Sequence, residues 1–295
     1  MSSLLGRWCA ALFVCLPLLA VAAPESADLD AARDARLQTA LSGAVERLGL
    51  THAIARRQLS VALVDLADPA APRYAGLNDG DMVYGASLPK IAILLGAFAR
   101  IEDGTLTLTP ELRRDLEDMI RRSSNTAATR VFEQVGPDYL AELLSSERYA
   151  LYDRDHGGGL WVGKPYGPGE AYRRDPLFNL SHGASAYQAA RFYYLLETGR
   201  LVSPAASHAM KEIMGKPAID HKFVKAIKAS YPQAALYRKS GTWRDYHCDS
   251  ALVEHDGKRY IIVALSHAEQ GAQWLEQLAL AADALIAPGS APPVR

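Results

Sequence analysis

The sequence predicts an α/β (α+β) protein in which an antiparallel five-stranded sheet, flanked by helices, is built from both ends of the chain and carries an inserted all-helical lobe. Two strand-like runs follow a helical pattern near the N-terminus, and three more precede a closing helix. Helical periodicity fills most of the sequence between them, with no internal repeats or low-complexity tracts.

Each element has its own warrant. Residues 1–22 read as a secretory leader: Arg7 supplies the positive end, Trp8 to Leu19 the apolar stretch, and Ala20-Val21-Ala22 the small-residue cleavage site. The stretch is too short to span a membrane, so export to a bacterial periplasm without a membrane anchor is expected. Cys9 and Cys15 leave with the leader, Cys248 remains alone, and no intrachain disulfide can form.

About 270 residues remain, enough for a substantial core. Without Arg7 the balance is 31 − 33 = −2, with no basic block, which argues against nucleic acid or an anionic membrane as partner. A monomer acting on small molecules is expected.

Leu37, Leu41, Val45 and Leu48 recur at helical spacing, so residues 28–49 read as an amphipathic helix with Asp30 near its start. "QLSVALVDL" (58–66) and "RYAGLN" (73–78) read as a strand pair. From Leu88 to about Ile101, Ile91, Leu94, Leu95 and Phe98 mark a helix with one broad buried face, and Pro89 fits its first turn.

Helical patterns continue to about residue 148, whereas 150–183 carries too much Gly and Pro for either period. A stretch of that length is more often functional than idle. Helices at about 184–198 and 204–214 follow, then strands at 234–242, 249–256 and 258–266, the last two joined by the tight-turn pair Asp256-Gly257. A closing helix places Trp274, Leu275, Leu278, Ala282 and Leu285 on one face. The domain reading is a sheet lobe from 23–86 and 215–295, with a helical lobe from 87–214 containing a catalytic loop at about 150–183.

One stretch raises a chemical question. "VYGASLPKIAIL" (83–94) sets Ser87 and Lys90 one helical turn apart where an apolar helix begins. About one S-x-x-K is expected by chance in any chain of this size, so the rest of the sequence must decide. Ser123-Ser124-Asn125 and Lys239-Ser240-Gly241 follow, completing S-x-x-K, S-x-N and K-[ST]-G in order. Alone, Ser123 and Ser124 could be helix caps, and Lys239 a solvated strand lysine.

Together the three elements resemble the superfamily of penicillin-binding proteins and class A β-lactamases. "SSNTAATRVFEQVG" and "YYLLETGRLVSPAAS" extend the likeness, which covers roughly residues 30–287. The resemblance implies that Ser87 is the nucleophile, with its backbone N–H free to help stabilise an oxyanion. Lys90 is implied as the base, its pKa lowered by burial and by a second cation, Lys239. Ser123 would relay the proton to the leaving nitrogen, and Asn125 would bind the substrate's amide. Lys239 and Ser240 would attract a substrate carboxylate, and after Gly241 the Thr242 N–H would complete the oxyanion hole. No cofactor is implied.

Several positions depart from the family pattern. Class A enzymes activate the deacylating water with a glutamate in an E-P-x-L-N context; here "RRDPLFN" offers Asp175-Pro176 and Asn179, with Glu170 as a fallback base. Ser123 follows Ser87 by only 36 residues (123 − 87), so one cleft wall looks deleted and a more open site is expected. The strand arginine that assists carboxylate binding has no match, because its offset falls near Asp249. Arg238 and Arg244 are possible substitutes, or surface arginines.

Metallo-β-lactamase and H-E-x-x-H patterns are absent, although His247, Cys248 and Asp249, or His182, leave a surface zinc site as an alternative. Cys248 reads as a small buried side chain. The reading is a serine β-lactamase that opens β-lactam antibiotics through an acyl-serine intermediate. Its alternatives are a D,D-carboxypeptidase or related esterase acting on cell-wall peptides, and a β-lactam-binding protein that stays acylated.

Overall fold

Asp34, not Asp30, caps the first helix, accepting the Leu37 N–H at 2.7 Å. In the computed structural model, which describes residues 29–171 and 173–289, this helix is α1 (Ala35–Arg47) and Asp30 instead pairs with Arg33. The expected helix over 28–49 is therefore shorter, and a separate short α2 (Thr51–Ala55) follows Gly49, which adopts a φ of +70°. The leader at 1–22, with Cys9 and Cys15, lies outside the described residues.

The chain continues through β1 (Leu59–Asp65), β2 (Arg73–Leu77) and β3 (Val83–Tyr84) into α3 (Lys90–Glu102). Three helices follow: α4 (Pro110–Arg121), α5 (Asn125–Val135) and α6 (Pro137–Leu144). The Gly/Pro-rich stretch holds four very short strands, β4 (Tyr152–Asp153), β5 (Gly158–Gly159), β6 (Trp161–Val162) and β7 (His182–Ala184). Next come α7 (Ala186–Glu197), α8 (Pro204–Met214) and α9 (Phe223–Ser230). Strands β8 (Ala235–Trp243), β9 (Tyr246–His255) and β10 (Lys258–His267) lead into α10 (Gly271–Asp283).

The main sheet has the order β2-β1-β10-β9-β8, with every neighbouring pair antiparallel. Asp256 and Gly257, both at positive φ, turn β9 into β10 as the hairpin signal predicts. Val61 and Leu63 face the side covered by α1, α9 and α10, while Ala62 and Val64 face the helical lobe. Burial of both faces explains why β1 reads as an unbroken apolar run rather than an alternating one.

Helix α3 is buried all round from Lys90 to Ala99, not on one broad face as its spacing predicts. It is the central helix of the lobe, and at Gly96 an added Cβ would lie 2.7 Å from Val135 Cγ1. No helix among the described residues is long and apolar enough to cross a membrane.

Candidate active site

Ser87 sits in the turn between β3 and α3, half-buried, with its carbonyl accepting the Lys90 N–H at 3.3 Å. Ala86 before it has a φ of +48°, a left-handed conformation that costs a non-glycine residue about 1 kcal/mol and is tolerated where the fold needs a side chain aimed sharply. Strand β8 presses on this turn: a Cβ at position 241 would lie 2.3 Å from Gly85 O and 2.8 Å from Ser87 N. Only glycine permits that approach, so Gly241 brings the strand edge against the Ser87 backbone.

Below Ser87 the two lysines meet. Lys90 is fully buried, and its Nζ donates to Ser123 O at 2.6 Å and Asn125 Oδ1 at 2.8 Å, with Ser123 Oγ at 3.4 Å. Lys239, also buried, donates to Ser123 Oγ at 2.8 Å and Ser240 O at 2.7 Å. Burial lowers the Lys90 pKa to about 7. Burial, then the charges of Lys90 and Arg238, push Lys239 well below the ordinary lysine range.

A neutral Lys90 has two N–H donors, matched by the Ser123 carbonyl and the Asn125 amide oxygen, which leaves its lone pair for a hydroxyl proton. Ser123 holds its place between the lysines at a φ of +58°. Ser124, not Ser123, is the cap of α5, accepting the Ala127 N–H at 3.2 Å.

Ser87, Asn125 and Thr242 line a cleft of about 570 Å³, with Tyr84, Lys164, Tyr166, Ser181, His182 and Trp243 among its other walls. A groove of about 660 Å³ between α4, α8, α9 and β8 is slightly larger, but no serine, threonine or cysteine lines it. The Ser240 hydroxyl lies 3.2 Å from His221 Nε2, and burial, then the charge of Arg238, lowers the His221 pKa to about 4.

Asp175 and Asn179 are not brought to this cleft. The Asp175 carboxylate is buried and accepts from Leu177 N at 3.1 Å, Phe178 N at 2.9 Å, Leu180 N at 2.6 Å and the Tyr152 hydroxyl at 3.1 Å. It closes its own loop, and with four donors around two oxygens it is not free to take a proton from water. Asn179 is exposed at a φ of +57° and serves that turn through its backbone, its N–H donating to Asp175 O at 3.1 Å. Glu170 is exposed and also outside the cleft lining.

Asp175→Asn is expected to lower thermal stability by about 1–3 kcal/mol, because an amide cannot accept from all these donors. The decay rate of any acyl group on Ser87 should not change, and a tenfold slower decay in the variant would return Asp175 to a water-activating role.

One other expectation is corrected, and two hold. Arg238 is no surface arginine: with Asp249 it forms a buried bidentate pair at 2.6 and 2.8 Å, so Asp249 fills the offset of the missing arginine while facing away from a substrate role. Arg244 is exposed and lies over the Trp243 ring at 5.8 Å. Cys248 is fully buried, which raises its thiol to about 12. Among the described residues no group of three His, Cys, Asp or Glu side chains could hold a metal.

Three contributors carry no motif in the sequence. The Tyr166 ring covers Lys90 Nζ at 4.5 Å, and its hydroxyl donates to Ala86 O at 3.2 Å. Lys222, buried at a φ of +51°, donates to Gly241 O, Thr242 Oγ1 and Cys248 O at 2.7–3.1 Å, bracing β8 against β9. His182 packs on Tyr166 at 4.2 Å between ring centroids, and burial, opposed by its bond to Lys164 O, lowers its pKa to about 4.

The architecture is that of class A β-lactamases and PBP-A. A β-lactamase from Sphaerobacter thermophilus matches with a TM-score of 0.65 at 16% identity, over 85% of this chain and 99% of that one. A β-lactamase from Xanthomonas campestris matches at 0.65 and 15%, over 84% and 98%. PBP-A matches at 0.63 and 17%, over 84% and 95%, and a PBP-A mutant has been solved as an acyl-enzyme complex with penicillin G. At these identities the likeness is one of fold. In sequence, residues 109–286 match the Beta-lactamase enzyme family. That is more than half of the chain, and the protein belongs to this family, although Ser87 and Lys90 precede the matched segment. A comparison with curated protein sequences finds no match.

Proposed function

We propose that this protein is a serine acyl-transfer hydrolase that opens β-lactams and carboxylate-terminated cell-wall amides at Ser87 and releases the acyl group slowly. One observation carries the reading: two buried lysines converge on the Ser123 hydroxyl beneath the cleft that Ser87 lines. Ser87 Oγ attacks the amide carbonyl and passes its proton to neutral Lys90 Nζ. The N–H groups of Ser87 and Thr242 stabilise the oxyanion. The C–N bond then breaks as Ser123 Oγ protonates the leaving nitrogen, and Ser123 recovers a proton from the lysines. Lys239, Ser240 and Thr242 hold the substrate carboxylate, and Asn125 the acyl amide.

Slow release favours the penicillin-binding or peptidase-like alternative over a fast β-lactamase, because the carboxylate read as the water-activating base is tied up in its own loop. The leader read at residues 1–22 supports action in the periplasm, where both substrate types are met. Intact-mass spectrometry over time with benzylpenicillin tests this. An adduct of one penicillin mass that forms within minutes, persists for hours and vanishes in Ser87→Ala is the expected result. Hydrolysis faster than the adduct can be observed would establish a β-lactamase instead.

A further inference from the structure

The walls of the cleft differ in charge from what a water-activating carboxylate would require. None of the lining residues is acidic, and the cation among them is Lys164, on the wall that follows β6, whereas Thr242 and Trp243 come from β8. Lys164 follows β6, where Gly163 N donates to Ser181 O at 2.7 Å, which sets the Lys164 and Ser181 side chains on one wall. Its backbone carbonyl accepts from His182 Nε2 at 3.2 Å, and its Nζ donates to the carbonyl of Gly169 across the 164–169 loop.

The ammonium is thus held at the rim by a neutral partner, with further N–H donors to spare. The one carboxylate the neighbouring loop buries, Asp175, is turned to backbone N–H groups and does not neutralise it. Beside it, burial lowers the His182 pKa most, the bond to Lys164 O opposes that, and the charges of Lys164 and Lys90 add smaller downward contributions.

We propose that Lys164 is a specificity-determining residue that selects acyl donors carrying a second anionic group on the acyl side chain. Lys239 and Ser240 receive the carboxylate on the leaving-group side. This rests on the reading of Ser87 as the acylated serine. The substrate class is a dianion: a β-lactam or peptide with one carboxylate on each side of the reacting carbonyl.

Benzylpenicillin and its α-carboxy and α-amino derivatives test the idea, since they place a neutral, negative or positive group on the same carbon. Acylation rates at Ser87, read by intact mass, should fall in the order carboxy, neutral, amino, with about fivefold per step for a partly exposed charge pair. Added salt should compress that spread. Lys164→Met should bring the three rates together, and Lys164→Glu should reverse their order. Equal rates in the wild-type protein, or the same order in Lys164→Met, overturn the inference and leave the acyl-serine reading standing. Finding neither an adduct nor hydrolysis with any of the three compounds overturns both. If either variant misfolds, the wild-type order and its salt dependence still decide.

Discussion

Replacing Lys90 by methionine is expected to slow acylation of Ser87 about a thousandfold, the usual contribution of a positioned general base. The expectation follows from the fully buried amine, whose pKa falls to about 7 because the ammonium loses its hydration. The wild-type rate should therefore drop about tenfold per pH unit below that value and level off above it, as the neutral amine becomes fully populated. The variant should lose this pH dependence along with the rate. A Lys90→Met protein that keeps the wild-type profile would transfer the role of base to another group.

The same shift has a stability signature. Between about 7 and the ordinary lysine value of 10.5, the unfolded chain holds a proton that the folded one does not, so stability rises with pH across that window.

Asp249→Ala is expected to destabilise the fold by about 3–5 kcal/mol, the usual cost of leaving one partner of a buried ion pair alone. The carboxylate is fully buried, accepts from two nitrogens of Arg238, and also accepts Phe223 N at 3.1 Å and Ser250 N at 3.0 Å. Its loss strands a guanidinium inside the sheet lobe and frees the first turn of α9. Because Lys239 and Ser240 directly follow Arg238 on β8, the strand edge that carries them should loosen too. Denaturant melts of Asp249→Ala and of the double variant Arg238→Met with Asp249→Leu separate the causes. The double variant should recover most of the loss, since no charge is then left unpaired. Equal losses in both would mean that shape, not charge, is at stake.

The site was legible where chemistry is carried by short strings on regular elements. Ser87 and Lys90 are set one turn apart by S-x-x-K, and Asn125 is set by the start of a helix, while the packing of α3, α5 and β8 brings Lys90 and Lys239 to Ser123. Helix α9 escaped notice because its eight residues bury only Phe223, Val224, Ala226 and Ile227, too few to show a period.

Asp175 shows where local reading fails. An aspartate before proline in a loop gives the same string whether its carboxylate faces a cleft or the backbone N–H groups two to five residues on. Its short side chain favours the latter.

From its residues alone, this chain determined the order of the five long strands and most of the helices, the tight Asp256-Gly257 hairpin and the ordered S-x-x-K, S-x-N and K-S-G strings. Those depend on local periodicity and on spacings within a turn. Tertiary structure decided the rest: that Arg238 meets Asp249, that Lys222 braces β8, that Tyr166 covers Lys90, and that Lys164 rather than a carboxylate faces the cleft. Each of these depends on strand register or loop path. A polar side chain in a loop or at a sheet edge can take several partners at similar energy until the surrounding backbone is in place.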